Sequence, residues 1–238
     1  MPNNVLNGIV LRTTDYRESD RILNVLTKER GLISVTARGC RKPGSKLSAF
    51  AAQFSYGEME VSERAGKLQL SSAALLESFY SIRESYEQLT SAVHVVTAAE
   101  RISEKENPND ALFLLVYHTL SVISYGENEP KDMELLFLAK LLKLEGVAPV
   151  LTRCVRCGRD LTREKEIHFS NSFGGALCGG CGSAYGTVSA LSLEAFRRMM
   201  LVSLNDFRKV SLPESVRNEL EPLIYSYAER AFEFTIRK

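Results

Sequence analysis

The sequence contains no run of eighteen apolar residues, since even LFLLV at 112–116 is broken at once by Tyr117, His118 and Thr119, so a membrane-spanning helix is not expected. The opening MPNNVLNGIV has neither the basic start nor the long apolar stretch of a secretory leader, and the expectation is a soluble cytoplasmic protein without membrane partners. Neither GxxxxGK[ST] nor GxGxxG occurs, which removes the usual nucleotide-phosphate cradles and argues against an ATP-driven reaction. Low-complexity tracts are also missing. What remains is an ordinary globular composition, with 45% hydrophobic and 25% charged residues in 238, enough for two or three modest cores.

The formal net charge of +1 conceals an uneven distribution. Residues 1–80 carry 11 Lys and Arg against 8 Asp and Glu, and the rest 19 against 21. Basic charge peaks in RGCRKPGSKL at 38–47, where Arg38, Arg41, Lys42 and Lys46 stand with no acid between them. Pro43-Gly44 gives this stretch turn chemistry, and an exposed cationic loop of this kind suits contact with a phosphate backbone. A merely solvated charged loop is the plain alternative. Tyr16, Phe50, Phe54 and Tyr56 are interleaved with the charge and suit either base stacking or core packing.

The first eighty residues read as about five short strands: GIVL (8–11), RILNVLT (21–27), LISVTAR (32–38), 54–62 and 67–72, with Gly31 as one turn and Arg64-Ala65-Gly66 as a hairpin. Five strands are too few for a two-sheet sandwich, so a small closed barrel such as an OB-fold is expected, with an open sheet on helices as the alternative. From Tyr86 the period turns helical, through Leu89, Val93, Val96, Ala99 and Ile102. A second helix is expected after Asn107 with Pro108 in its first turn, and a third from Pro130 to Gly146. Ser192 is read as the cap of a helix to about Leu204, and Pro213 as the opening of another to Phe234, interrupted by Pro222. The fold class is thus α+β: an N-terminal barrel domain at 1–80 and a helical domain at 81–238 with an inserted module at about 153–185.

That module holds the sharpest motif, C-x2-C-x20-C-x2-C, formed by Cys154, Cys157, Cys178 and Cys181. Two short loops, each presenting two thiolates, complete a tetrahedron around one zinc ion. Gly158 and Gly182 each follow a second cysteine, and a positive φ is expected at both. A redox dithiol needs only one C-x-x-C beside a βαβ pattern, and iron shares the sulfur geometry. A catalytic zinc keeps an open position, which four cysteines would fill, so a structural ion and no enzyme activity are expected. His168 lacks the neighbouring Glu of a zinc-deaminase signature. Cys40 is read as an inert thiol, and His94 and His118 as packed histidines.

Taken in order, GIVL, Tyr16-Arg-Glu-Ser-Asp20, LTKERGLISVTARGCRKPGSKL (26–47), GVAP (146–149), CVRCG and FGGALCGGCG (173–182) resemble the RecO family of bacterial recombination mediators over nearly the whole chain. The resemblance implies an OB-fold, a helical domain and a zinc module. It further implies binding of single- and double-stranded DNA, strand annealing, and work with RecR, and in many bacteria RecF, to help RecA replace single-strand binding protein. A nucleoid-associated place in the cytoplasm goes with that role. Carried over by position, Arg38, Arg41, Lys42 and Lys46 match the family's DNA-contacting loop, with Arg12, Arg17 and Arg21 as flanking candidates. An adaptor that binds only proteins is the competing functional reading.

Overall fold

The structure, a computed structural model, describes residues 5–237. Contacts divide the chain into two compact units, Met1–Tyr125 and Gly126–Lys238. No helix among the described residues is long and apolar enough to cross a membrane.

The first unit is built on five strands: β1 (Val5–Tyr16), β2 (Asp20–Thr27), β3 (Gly31–Ala37), β4 (Tyr56–Arg64) and β5 (Lys67–Glu77). They close into a barrel in the order β1-β2-β3-β5-β4, the OB-fold arrangement, so the closed form is realised and the open sheet is not. β1 pairs with β2 along one side and with β4 along the other. Its register slips between Val10 and Arg12, a bulge that bends the strand around the barrel. Alternation supplies the interior, where Leu6, Val10, Leu23, Val25, Ile33, Val35, Met59, Val61 and Leu70 meet.

Local chemistry agrees with most turns. Ala65 and Gly66 both have positive φ, 50° and 71°, as a two-residue hairpin between antiparallel β4 and β5 requires. Gly31 opens β3 instead of forming the turn itself, with φ 66° and a Cβ position that would fall 2.1 Å from the Asn107 carbonyl oxygen. Phe54 also departs from the expected strand: its φ is 71°, and its ring is buried before β4 begins, with the Arg83 guanidinium 5.5 Å from its centroid. Arg41, Lys42 and Lys46 stay exposed on the loop between β3 and β4, which is pinned by buried Cys40 and Phe50.

Helices α1 (Tyr86–Ile102) and α2 (Asp110–Tyr125) belong by contact to the same unit as the barrel. Tyr56 of β4 meets Tyr117 of α2 with ring centroids 4.9 Å apart, and Tyr125 donates to Glu77 at 2.6 Å. Long-range side-chain contacts of this kind leave no local trace. The α1 face that is buried centres on Ala92, Val95, Val96 and Ala99, so Leu89 and Val93 sit at its margin. Pro108 lies ahead of α2, and Asn109 caps it by accepting the Leu112 amide at 3.0 Å.

In the second unit α3 (Pro130–Leu144) is buried nearly all round, as a central helix must be, and α5 (Ala190–Leu201) and α6 (Glu214–Phe232) pack on it. The cap of α5 is Ser189, which accepts the Ser192 amide at 3.1 Å; Ser192 is itself buried and donates to Glu219. Between α3 and α5 lies the cysteine module, built on hairpin strands β6 (Ile167–Ser170) and β7 (Gly175–Cys178) followed by the single turn α4 (Gly179–Gly182).

One ion pair ties this bundle together. Asp132 is fully buried and receives Arg217 Nε at 2.6 Å, Arg217 Nη2 at 3.2 Å and the Leu212 amide at 2.9 Å. Removing the carboxylate would strand a mostly buried guanidinium and an amide together. Asp132→Ala is therefore expected to lower the unfolding free energy by about 3 kcal/mol, read from urea denaturation. A loss below about 1 kcal/mol would place the pair among weak surface contacts.

Candidate nucleic-acid cleft and metal centre

The exposed face of β2, β3 and β5 borders a cleft of about 750 Å³, completed by the β4–β5 hairpin and by residues 105–106 after α1. Five cations line it, Arg17, Arg38, Arg64, Lys67 and Lys105, against two carboxylates, Asp20 and Glu106. Both acids are engaged: Asp20 accepts the Gly39 amide at 2.8 Å, and Glu106 pairs with Arg30 at 3.1 Å. None of the five cations has a carboxylate partner among the described residues, so the cleft is a positively charged channel with an available aromatic, the 39% exposed Tyr16, at its wall.

The basic residues singled out by sequence are distributed unevenly. Arg17 and Arg38 line the cleft, with the Arg17 guanidinium 5.2 Å from the Tyr16 ring centroid. Lys42 and Lys46 are exposed on the β3–β4 loop outside its lining, and Arg41 there faces Asp15 at 3.3 Å. Arg12 pairs with Glu100 of α1 at 2.9 Å. Arg21 is clamped between Asp15 at 2.9 Å and the Ala51 carbonyl at 2.8 Å, which lowers the Asp15 pKa through that hydrogen bond first. Phe50 and Phe54 are buried at 1% exposure and are core, as is most of Tyr56.

Arg64, Lys67 and Lys105 were not among the sequence candidates. The first two flank the Ala65-Gly66 turn, so their nearness to each other was readable, but their side of the barrel depends on β5 closing onto β3. Lys105 arrives through a bridge to Leu32 and has no local signature.

The second site is the cysteine cluster. Cys154 and Cys157 sit on a loop whose backbone folds back on itself, with the Cys154 amide donating to the Arg159 carbonyl at 2.8 Å and the Gly158 amide to the Cys154 carbonyl at 2.9 Å. Cys178 ends β7 and Cys181 lies in α4. The four sulfurs are all within 4.8 Å of one another, and Cys157 and Cys178 are 3.7 Å apart. In a regular tetrahedron with metal–sulfur bonds of about 2.3 Å, the sulfur–sulfur edge is about 3.8 Å, so the donor set fits a tetrahedral ion.

The thiols' proton affinities point the same way. Burial raises the Cys154 pKa, but amide donors near Cys178, Cys157 and Arg156 overcome it and bring the thiol down to about 6. Cys181 is pushed up to about 12 by its hydrogen bonds to the Cys178 and Cys157 sulfurs, with burial adding to them. Four sulfurs this close cannot all shed their protons without a cation among them. Arg159 is held more firmly protonated, first by Cys178 and then by Glu164, another sign of negative potential at the cluster.

The two glycines after the second cysteines turn out to serve different ends. Gly158 has φ 75°, as expected, but Gly182 is helical and has no positive φ. Its requirement is steric: a Cβ there would lie 2.5 Å from Cβ of His168. His168 is buried on β6, where Nδ1 donates to the Tyr185 carbonyl at 2.8 Å, and it packs against α4 outside the sulfur cluster. Cys40 is buried in the barrel core with its thiol pKa raised by that burial, and burial lowers the pKa of His118.

Comparison with known proteins follows the same division into barrel and remainder. Residues 1–79 match the family model described as Recombination protein O N terminal, and residues 83–237 match Recombination protein O C terminal. The DNA repair protein RecO of Bacillus subtilis (strain 168) is 32% identical over 225 residues, covering 93% of this chain and 87% of that protein. That of Desulforamulus reducens is 32% identical over 228 residues, covering 94% and 88%, and that of Anaeromyxobacter sp. (strain K) 34% over 203 residues, covering 84% and 78%. With the barrel, the helices and the cysteine module all inside the matched residues, the chain belongs to the RecO family of DNA repair and recombination proteins.

Proposed function

We propose that this chain is a recombination mediator that binds single- and double-stranded DNA and anneals complementary strands, with residues 1–80 as the grip and residues 81–238 as the helical domain. The observation that carries the reading is the barrel cleft, where five cations without carboxylate partners among the described residues line a groove of about 750 Å³. Cations in such a cleft displace the counterions condensed on phosphates and hold a backbone without choosing its sequence. Holding two strands near one patch of positive charge lowers their mutual repulsion and favours pairing. Arg38 joins the cleft to the loop of Arg41, Lys42 and Lys46, so a backbone can run from one to the other; Arg12 on β1 and Arg21 on β2 lie alongside, and Arg17, in the turn between those strands, lines the cleft itself. The family resemblance supports action with RecR, with RecF, and on DNA coated by single-strand binding protein so that RecA can load, in the cytoplasm at the nucleoid.

In this reading Cys154, Cys157, Cys178 and Cys181 hold one zinc ion. Bound there, zinc would supply no Lewis-acid chemistry, because four cysteines complete its shell; it would fasten β7 and α4 to the loop around Cys154. The residues themselves position the thiolates through backbone amides. Catalysis is not part of the proposal.

Two measurements test it. The slope of log K against log salt for an oligothymidylate should become shallower by about 2 when Arg38, Arg64 and Lys67 are replaced together by Ala, since each neutralised phosphate contributes about 0.7. The matching Arg41, Lys42 and Lys46 triple should change it less, because Arg41 already faces Asp15. Equal slopes in the first triple and the parent protein would remove the cleft from the interface. For the metal, Cys154→Ser is expected to drop bound zinc well below one per chain and to expose residues 153–185 to limited proteolysis, because structural zinc binding is itself folding free energy. Full zinc content with an unchanged cleavage pattern would contradict the staple.

A further inference from the structure

The cysteine module displays an aromatic and cationic surface that the cleft reading does not use. The β6–β7 register pairs Ser170 with Gly175, leaving residues 171–174 as a tight loop that holds Phe173 outward, 47% exposed. The loop is fixed from both sides. Ser170 Oγ accepts the Phe173 amide at 3.4 Å, and Asn171 Nδ2 donates to Ser226 Oγ of α6 at 3.0 Å. The guanidinium of Arg156 lies 5.5 Å from the Phe173 ring centroid, and its Nη1 donates to the Cys181 carbonyl at 3.4 Å. Tyr185 meets the same ring edge-on at 6.0 Å. By contrast Phe169, one strand position from the core, packs against Tyr227.

We propose that the ladder of Arg156, Phe173 and Tyr185 is a second nucleic-acid contact, a platform on which one unpaired base of a single strand stacks. A rigid loop that keeps a large apolar ring in water has already lost the conformational entropy that binding would otherwise cost. A flat ring with a guanidinium beside it matches a base, whose face is a π surface, and bases are free for this only in single strands. Exposed Arg153, Arg163 and Lys165, which have no ion pair among the described residues, surround the module. A metal with four thiolates carries about −2, which offsets much of that positive charge, so stacking rather than Coulomb attraction carries this contact.

The inference rests on the reading of the chain as a single-strand binder, and its signature differs from that of the cleft. Full-length, zinc-loaded protein would be titrated with dye-labelled oligothymidylate and followed by anisotropy. Phe173→Ala should weaken binding about 5-fold or more while leaving the salt slope unchanged, whereas the cleft triple changes the slope. The sequence has no tryptophan, so Phe173→Trp provides a single reporter whose emission should be quenched in step with the anisotropy. Anisotropy that rises while Trp emission stays constant, together with full affinity in Phe173→Ala at normal zinc content, would overturn the platform and leave the cleft standing. An unchanged affinity and salt slope in the cleft triple, with quenching retained, would sink the cleft alone. If even the parent protein left the anisotropy flat, both readings would fall. Quenching by a short polyglutamate peptide in place of oligothymidylate would assign the surface to a protein partner and overturn the proposal.

Discussion

The short parallel pairing of β3 with β5, Val35 with Leu68 and Thr36 with Gln69, is the contact on which the N-terminal unit depends. Every other neighbouring pair in the barrel is antiparallel, and β1–β2, β2–β3 and β4–β5 are close in sequence, so they can form early with little loop entropy lost. The β3–β5 seam needs the chain to return across the whole β3–β4 loop and the hairpin. Its strength comes less from its few hydrogen bonds than from the interior it seals, where Leu70 joins Val35, Leu23 and Phe50. Closing that seam also makes the cleft. Arg38 leaves the end of β3, Arg64 and Lys67 flank the hairpin into β5, and only closure brings them to one groove.

A similar economy governs the cysteine cluster, where local backbone places each pair and electrostatics joins the two. Each C-x2-C is positioned by nearby amides, which is why the spacing is readable at all. Bringing the pairs together puts four acidic sulfurs within 4.8 Å, a concentration of negative charge that resists assembly unless protons or a cation neutralise it. Backbone amides pull the Cys154 pKa down while hydrogen bonds to neighbouring sulfurs push that of Cys181 up, so the four sites are unequal toward protons. A divalent ion satisfies all four sulfurs symmetrically, and that is the physical reason for reading the cluster as a metal centre.

Features governed by local rules were legible in the sequence: the Ala65-Gly66 hairpin, the five short strands, from whose number closure was inferred, the start of α3 at Pro130, and the cysteine pairs. Those decided by long-range packing were not. Residue 54 looks like strand by alternation, yet Phe54 adopts a left-handed backbone, with its amide held by the Val10 carbonyl at 2.8 Å and its ring buried beside the Arg83 guanidinium. Gly182 resembled Gly158 by position, but its constraint comes from His168 on another strand. Ser192 has the right chemistry for a cap, but the helix begins three residues earlier, where Ser189 accepts the Ser192 amide and the Ser192 hydroxyl turns to Glu219 of α6. In the cleft, charge density along the chain pointed to 38–46, whereas the groove draws cations from four separate segments.

The protein's cations sort by what surrounds them, and the sorting separates structure from grip. Arg217 is mostly buried on Asp132, and releasing it to a phosphate would leave a carboxylate in the interior of the bundle, so it is fixed in place. Arg41 pairs with Asp15 at the surface, where such contacts contribute about 0–1 kcal/mol and exchange readily in salt, while Arg12 is held by the mostly buried Glu100. The cleft cations have no carboxylate partner among the described residues to give up. In the proposed role, a phosphate would gain its full interaction there, less at Arg41, and none at Arg217. On the proposed function, affinity for polyphosphate should follow the absence of carboxylates more closely than the density of Lys and Arg, which is why we propose the barrel groove, and not the most basic stretch of sequence, as the stronger site.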